Sequence, residues 1–122
     1  MIPDPRFKQR FDEIRDHLLQ LSAASRDSLS YFKRRWDECR AGEYASWGCA
    51  DYYFEVAPDG TVTRQMEIYD SGAVLQYYAH NIEDTFGGLA DQPLGQSDYA
   101  PFSISREEFE RAWLSHPPTN AL

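Results

Sequence analysis

At 122 residues the chain has room for one hydrophobic core and not two, and its 42% hydrophobic and 26% charged content sets it apart from disordered sequences. Twelve Lys and Arg against twenty Asp and Glu give a formal net charge of −8, a field that repels phosphate backbones and anionic lipid headgroups. That balance argues against direct nucleic-acid binding and against a membrane surface, and it favours a basic protein as partner.

Residues 1–10 carry charges and two prolines without the apolar run of a secretory signal, and no apolar stretch is long enough to span a bilayer, so a cytoplasmic location is expected. The first helix is predicted over residues 4–21, with Asp4 as its cap and Pro5 at the first helical position, where a missing N–H does no harm. Phe7, Phe11, Ile14, Leu18 and Leu21 then fall in one apolar stripe. A second helix is predicted over residues 25–41, carrying Leu29, Phe32, Trp36 and Cys39 inward and ending before Gly42. The short turn Ser22-Ala23-Ala24 would make the two an antiparallel helical hairpin. Cys39 and Cys49 lack Cys-x-x-Cys spacing and, in a cytoplasmic protein, are expected to be reduced thiols.

After Gly42 the period becomes alternating. Strands are predicted at residues 51–57, 61–70 and 73–80, joined by the turns Pro58-Asp59-Gly60 and Asp70-Ser71-Gly72, which gives an antiparallel meander. Arg64 breaks the alternation, marking a bulge, a snorkelling stem or a buried ion pair, and the sequence does not choose among them. Residues 81–103 show no period, and Phe86, Leu89, Leu94, Tyr99 and Phe102 suit a loop packed onto the domain. The last helix is predicted over residues 105–115, from a capping box at Ser105 and Glu108, with Ile104 stapling onto Phe109 and His116-Pro117-Pro118 as the stop. The tail from Pro117 to Leu122 is expected to fray. The fold class is therefore α+β: a helical hairpin, a meander of three or more strands, a long irregular loop and a C-terminal helix on one sheet face.

No nucleophile elbow, phosphate loop or metal-ligand spacing is present, so neither enzyme activity nor a cofactor or metal is expected. His17, His80 and His116 stand far apart in the chain, whereas Glu83, Asp84, Asp91 and Asp98 cluster in the long loop. Paired carboxylates can serve as a glycosidase dyad or a divalent-metal site, but without a calcium-loop spacing the expected use is electrostatic complementarity to a basic protein. If Tyr52, Phe54, Val62 and Met66 face the helices, the opposite face holds Tyr53, Glu55, Gln65, Glu67, Tyr69, Gln76, Tyr78 and His80. Tyrosines among carboxylates suit contact with a cationic protein. The expected binding residues are thus Tyr53, Glu55, Glu67, Tyr69, Tyr78, His80, Glu83 and Asp84. An ordinary solvated face explains the same pattern equally well.

The run YYFEVAPDGTVTRQMEIYDSGAVLQYY from Tyr52, with EDTFGGLADQPL and the closing SREEFERAW, spans about half the chain to Trp113. It resembles small acidic bacterial proteins found as uncharacterised domains and as immunity proteins of polymorphic toxin systems. The resemblance implies a short meander, an acidic loop, a terminal helix and neutralisation of a cognate toxin by tight binding, and it carries over no functional residue. The leading expectation is a module that occludes a basic toxin domain. The competing class is a small-molecule binder or hydrolytic enzyme with a site between the sheet and the 81–103 loop, lined by His80, Glu83 and Asp84. A homo-oligomer is a third class.

Overall fold

The computed structural model describes residues 13–20 and 28–120. Four strands, β1 (Ser30–Trp36), β2 (Ala50–Val56), β3 (Val62–Tyr69) and β4 (Val74–Tyr77), pair in chain order as one antiparallel meander. The turns close as their residue types demand: Gly60 N–H bonds the Ala57 carbonyl at 2.8 Å and Gly72 N–H the Tyr69 carbonyl at 2.9 Å. Both glycines hold a positive φ, 92° and 97°, which a side chain would resist.

Strand β1 lies where the second helix was expected, so the helical hairpin is corrected there. The four-residue step from Phe32 to Trp36 fits one face of a helix, but it also fits alternate positions of a strand. Pairing with β2, Phe32 opposite Phe54 and Tyr31 opposite Glu55, decides it. Residues 25–27 of that helix lie outside the described residues. Of the first predicted helix, residues 13–20 are helical, labelled α1, with Leu18 buried, and residues 4–12 and Leu21 lie outside the described residues.

The sheet is covered on both faces. On one, Tyr31, Tyr53, Met66 and Val74 pack against Phe109 and Ala112 of the C-terminal helix. On the other, Phe32, Phe54, Val56 and Val62 pack against Leu89, Leu94, Tyr99 and Phe102 of the long loop. That loop contains a short ribbon, β5 (Glu83–Asp84) with β6 (Gly87–Gly88), and a helical turn, α2 (Gln96–Tyr99), continued by a 3-10 turn at Ala100–Phe102.

Helix α3 (Arg106–Ser115) starts as its sequence instructs, with Ser105 Oγ accepting the Glu108 N–H at 3.0 Å. The tail beyond it docks, against the expectation of fraying. Thr119 N–H bonds the Val74 carbonyl and Asn120 Oδ1 accepts the Gln76 N–H at 3.0 Å, so the free edge of β4 is paired.

A bulge lies between β2 and β3. Glu55 faces Arg64 while Val56 faces Val62, which leaves Thr63 as the extra residue. The bulge sends Val62 to the loop side, while Arg64 keeps step with Met66 on the α3 side, where its guanidinium binds Glu55 at 2.6 Å, pairs with Glu110, and lies 4.8 Å from the Phe109 ring centroid.

Candidate functional site

The expected binding face does not exist as a surface. Tyr53 and Glu55 point to the α3 side and Glu67 and Tyr69 to the loop side, because the register sets Tyr53 opposite Met66 and Tyr52 opposite Glu67. All four are buried. Tyr78, His80 and Glu83 are exposed, and Asp84 is half-buried. The place between the sheet and the 81–103 loop is filled by apolar packing, so His80, Glu83 and Asp84 do not line a common pocket there.

The buried carboxylates are held by internal partners. Glu67 accepts hydrogen bonds from Tyr69 Oη and from Gln65 Nε2 at 2.9 Å, with Arg40 Nη2 at 3.7 Å. Arg40 also donates to Tyr69 Oη at 3.0 Å and stacks on the Trp47 and Tyr69 rings. Burial, then the Glu67 charge, pushes the Tyr52 hydroxyl pKa well up. Asp84 accepts from Asn120 Nδ2 at 2.8 Å, Tyr77 Oη at 2.9 Å and the Phe86 N–H at 2.9 Å. Burial works against its charge, yet these donors hold its carboxyl below the ordinary value. It is a fastener for the loop and the tail. Glu55 is held the same way: burial opposes its charge, while Arg64, Thr63 and Tyr31 outweigh burial and keep its pKa low.

Exposed negative charge gathers elsewhere, at the end of the sheet where β1 leaves and β2 enters. The connection folds back through a 3-10 turn (Gly42–Trp47), Arg40 N–H bonds the Gly48 carbonyl at 3.0 Å, and Cys39 is joined to Cys49 by a disulfide. The expectation of two reduced thiols is corrected: this fold-back brings the two cysteines together, which a ten-residue spacing does not reveal. Asp70 Oδ2 accepts the Cys49 N–H at 3.1 Å, and Arg35 bridges Asp70 at 2.8 Å and Asp51 at 3.8 Å. Arg35, then the Cys49 amide, holds the Asp70 carboxyl low. Asp37, Glu38 and Glu43, all exposed, have no ion-pair partner among the described residues. Half-buried aromatic rings lie among these charges: Tyr44 and Trp47 at 5.1 Å between centroids, with Trp36 at the end of β1.

No family model, curated protein or solved structure matches the chain. The site is therefore read from its own geometry. Among the described residues no helix is long and apolar enough to cross a membrane, and no group of three or more His, Cys, Asp or Glu could hold a metal ion. The residues of this acidic end were missed in the sequence because Asp37 and Glu38 sit in a segment read as helix, and Glu43, Tyr44 and Trp47 in the stretch between that helix and the first predicted strand. The available signal was the set Asp37, Glu38 and Glu43 flanking a cysteine, followed by Trp47 and a second cysteine.

Proposed function

We propose that the protein is a protein-binding module that captures a basic partner, in the manner of an immunity-type inhibitor occluding a toxin domain, and that it does so through this acidic end. The observation that carries the reading is that Asp37, Glu38 and Glu43 are exposed, with no ion-pair partner among the described residues, beside half-buried aromatic rings on a turn closed by a covalent bond. A turn held in one shape loses little entropy on binding, aromatic rings supply apolar contact, and unpaired carboxylates steer a cation. The net charge of −8 extends that attraction beyond contact range. An inhibitor of a nuclease-like toxin gains by carrying the charge of the substrate it displaces.

The test is a comparison of the wild type with the triple variant Asp37→Lys, Glu38→Lys, Glu43→Lys as baits for lysate of the producing cells. A basic protein should be held by the wild type, released by salt and lost with the variant. With that protein purified, the variant's association rate should fall about tenfold or more at low salt. Addition of wild-type protein should abolish the partner's activity. Equal association rates for the two baits would exclude this end as the docking surface.

A further inference from the structure

At the opposite end of the same strands, on the α3 side, lies a cavity of about 540 Å³. Its floor is the bulge, with Thr63, Glu55 and Arg64, and Tyr31 lies beside them. Burial, then the charge of Glu55, pushes the Tyr31 hydroxyl up to about 12, so the ring stays neutral and donates. The size is within the range of small-molecule sites, about 300–1,000 Å³.

Two features of the wall suit a ligand. Among the described residues three large hydrophobic side chains are exposed, and two of them, Leu19 at 43% and Tyr78 at 38%, line this cavity together with Leu29 and Ala79. Arg106 also lines it, and makes no hydrogen bond or ion pair among the described residues. Arg106 occupies the first position of α3, where the helix dipole disfavours a cation, so helix stability does not account for it. Its natural partner four residues on, Glu110, is engaged by Arg64 instead.

His80 also lines the cavity, and the formally charged groups beside it divide in two. Glu55, Arg64 and Glu110 form a triad with one net negative charge, and Arg106 stands one helical turn away with one positive charge unpaired among the described residues. Side chains at this spacing have their Cβ atoms about 5–6 Å apart on one helix face. A ligand matching them presents a carboxylate and an ammonium on the same carbon, with an apolar body directed at Leu19, Leu29 and Tyr78. We infer that the cavity binds a free α-amino acid with an apolar side chain, its carboxylate on Arg106 and its ammonium on Glu110. A simple anion would meet the carboxylates of the triad, and a simple cation would meet Arg106.

L-Leucine and L-phenylalanine titrated into the full chain, followed by calorimetry and by amide chemical shifts near Tyr78, should give saturable binding. Loss of one charge-assisted contact in Arg106→Gln should weaken L-leucine about ten- to a hundredfold. Removing either charge from the ligand, as 4-methylpentanoate or 3-methylbutylamine, should cost a similar factor. Arg106 is exposed, so the variant should melt with the wild type, and Glu110→Gln, in which Glu55 still holds Arg64, provides a second weakened variant. The inference is overturned if neither amino acid binds saturably, if Arg106→Gln binds L-leucine undiminished, or if 4-methylpentanoate binds as tightly as L-leucine.

Discussion

Replacing Arg64 with methionine isolates the charge at the centre of the fold. Glu55 is 3% exposed, and its carboxylate accepts from Arg64 at 2.6 Å and from Thr63 Oγ1 at 2.7 Å. Methionine keeps most of the packing against Phe109 and Trp113 but leaves the buried carboxylate without its counter-charge. Breaking such a pair costs about 3–5 kcal/mol at neutral pH. The contact with Glu110, 36% exposed, adds less, on the order of 0–1 kcal/mol. With an unfolding slope of about 1–3 kcal/mol per molar urea, the midpoint should fall by about 2 M. The pH dependence separates this mechanism from lost packing. In the wild type the Glu55 pKa is depressed, so its contribution is present above the unfolded value near 4.5 and is lost as the pH falls through the folded value. In Arg64→Met burial is no longer opposed and the folded pKa rises above the unfolded one. The deficit is then largest at neutral pH and shrinks as acid protonates Glu55. Adding Glu55→Gln should recover most of the loss, since it removes the stranded charge. Urea unfolding followed by tryptophan fluorescence, at neutral pH and at about pH 4, near the ordinary carboxylate range, measures all three effects. A deficit below about 1 kcal/mol, one that is equal at both pH values, or no recovery in the double variant would refute the reasoning.

Changing Cys39 and Cys49 together to serine should lower stability by about 2.7 kcal/mol, the chain-entropy value for a ten-residue separation, and mass analysis of unreduced wild type should find no free thiol. An unchanged melting temperature would contradict this. Asp84→Ala removes the acceptor shared by Tyr77, Asn120 and the Phe86 amide, at a cost of about 1–3 kcal/mol. Amide exchange should accelerate at Phe86 and Leu89 while Met66 stays protected, and uniform acceleration would count against a local fastener. Because the Asp84 pKa is depressed, its share of stability is present above the ordinary value near 3.8 and fades as the pH falls below it.

The sequence was legible wherever local chemistry and burial agree. The turns at Gly60 and Gly72, the alternation through β2 and β3, and the Ser105 cap are all decided within a few residues, and each stands as its pattern indicates. Strand β1 was illegible for a physical reason. Its aromatic residues Phe32 and Trp36 satisfy helical and strand spacing alike, and only pairing with β2, a contact between distant parts of the chain, separates them. The covered sheet face was hidden differently. Glu55, Gln65, Glu67 and Gln76 read as solvent-facing because polarity normally marks exposure, whereas here each is buried with its hydrogen-bond partners inside the fold. With those four read as exposed, the sheet acquires a wet face, and the binding residues are placed on it. The acidic end was lost with β1, since Asp37 and Glu38 follow that strand directly.

These buried polar groups also explain why the sheet holds one register. Hydrophobic residues lie on both faces, so shifting β3 by one position against β2 would exchange one apolar face for another at modest cost. The same shift would carry Arg64 away from Glu55 and Gln65 away from the Ala90 amide, leaving a buried carboxylate without its cation. The bulge at Thr63 separates Val62, on the loop side, from Arg64, which the register places opposite Glu55 and within reach of Glu110. The paired register also fixes the spacing of the two proposed sites. Trp36, Ala50 and Tyr69 line up at the acidic end and Tyr31, Glu55 and Arg64 at the cavity, five residues away along β1, or about 17 Å at strand rise. That separation exceeds a Debye length of about 8 Å at physiological salt, so charge reversal at Asp37, Glu38 and Glu43 leaves the field within the cavity nearly unchanged.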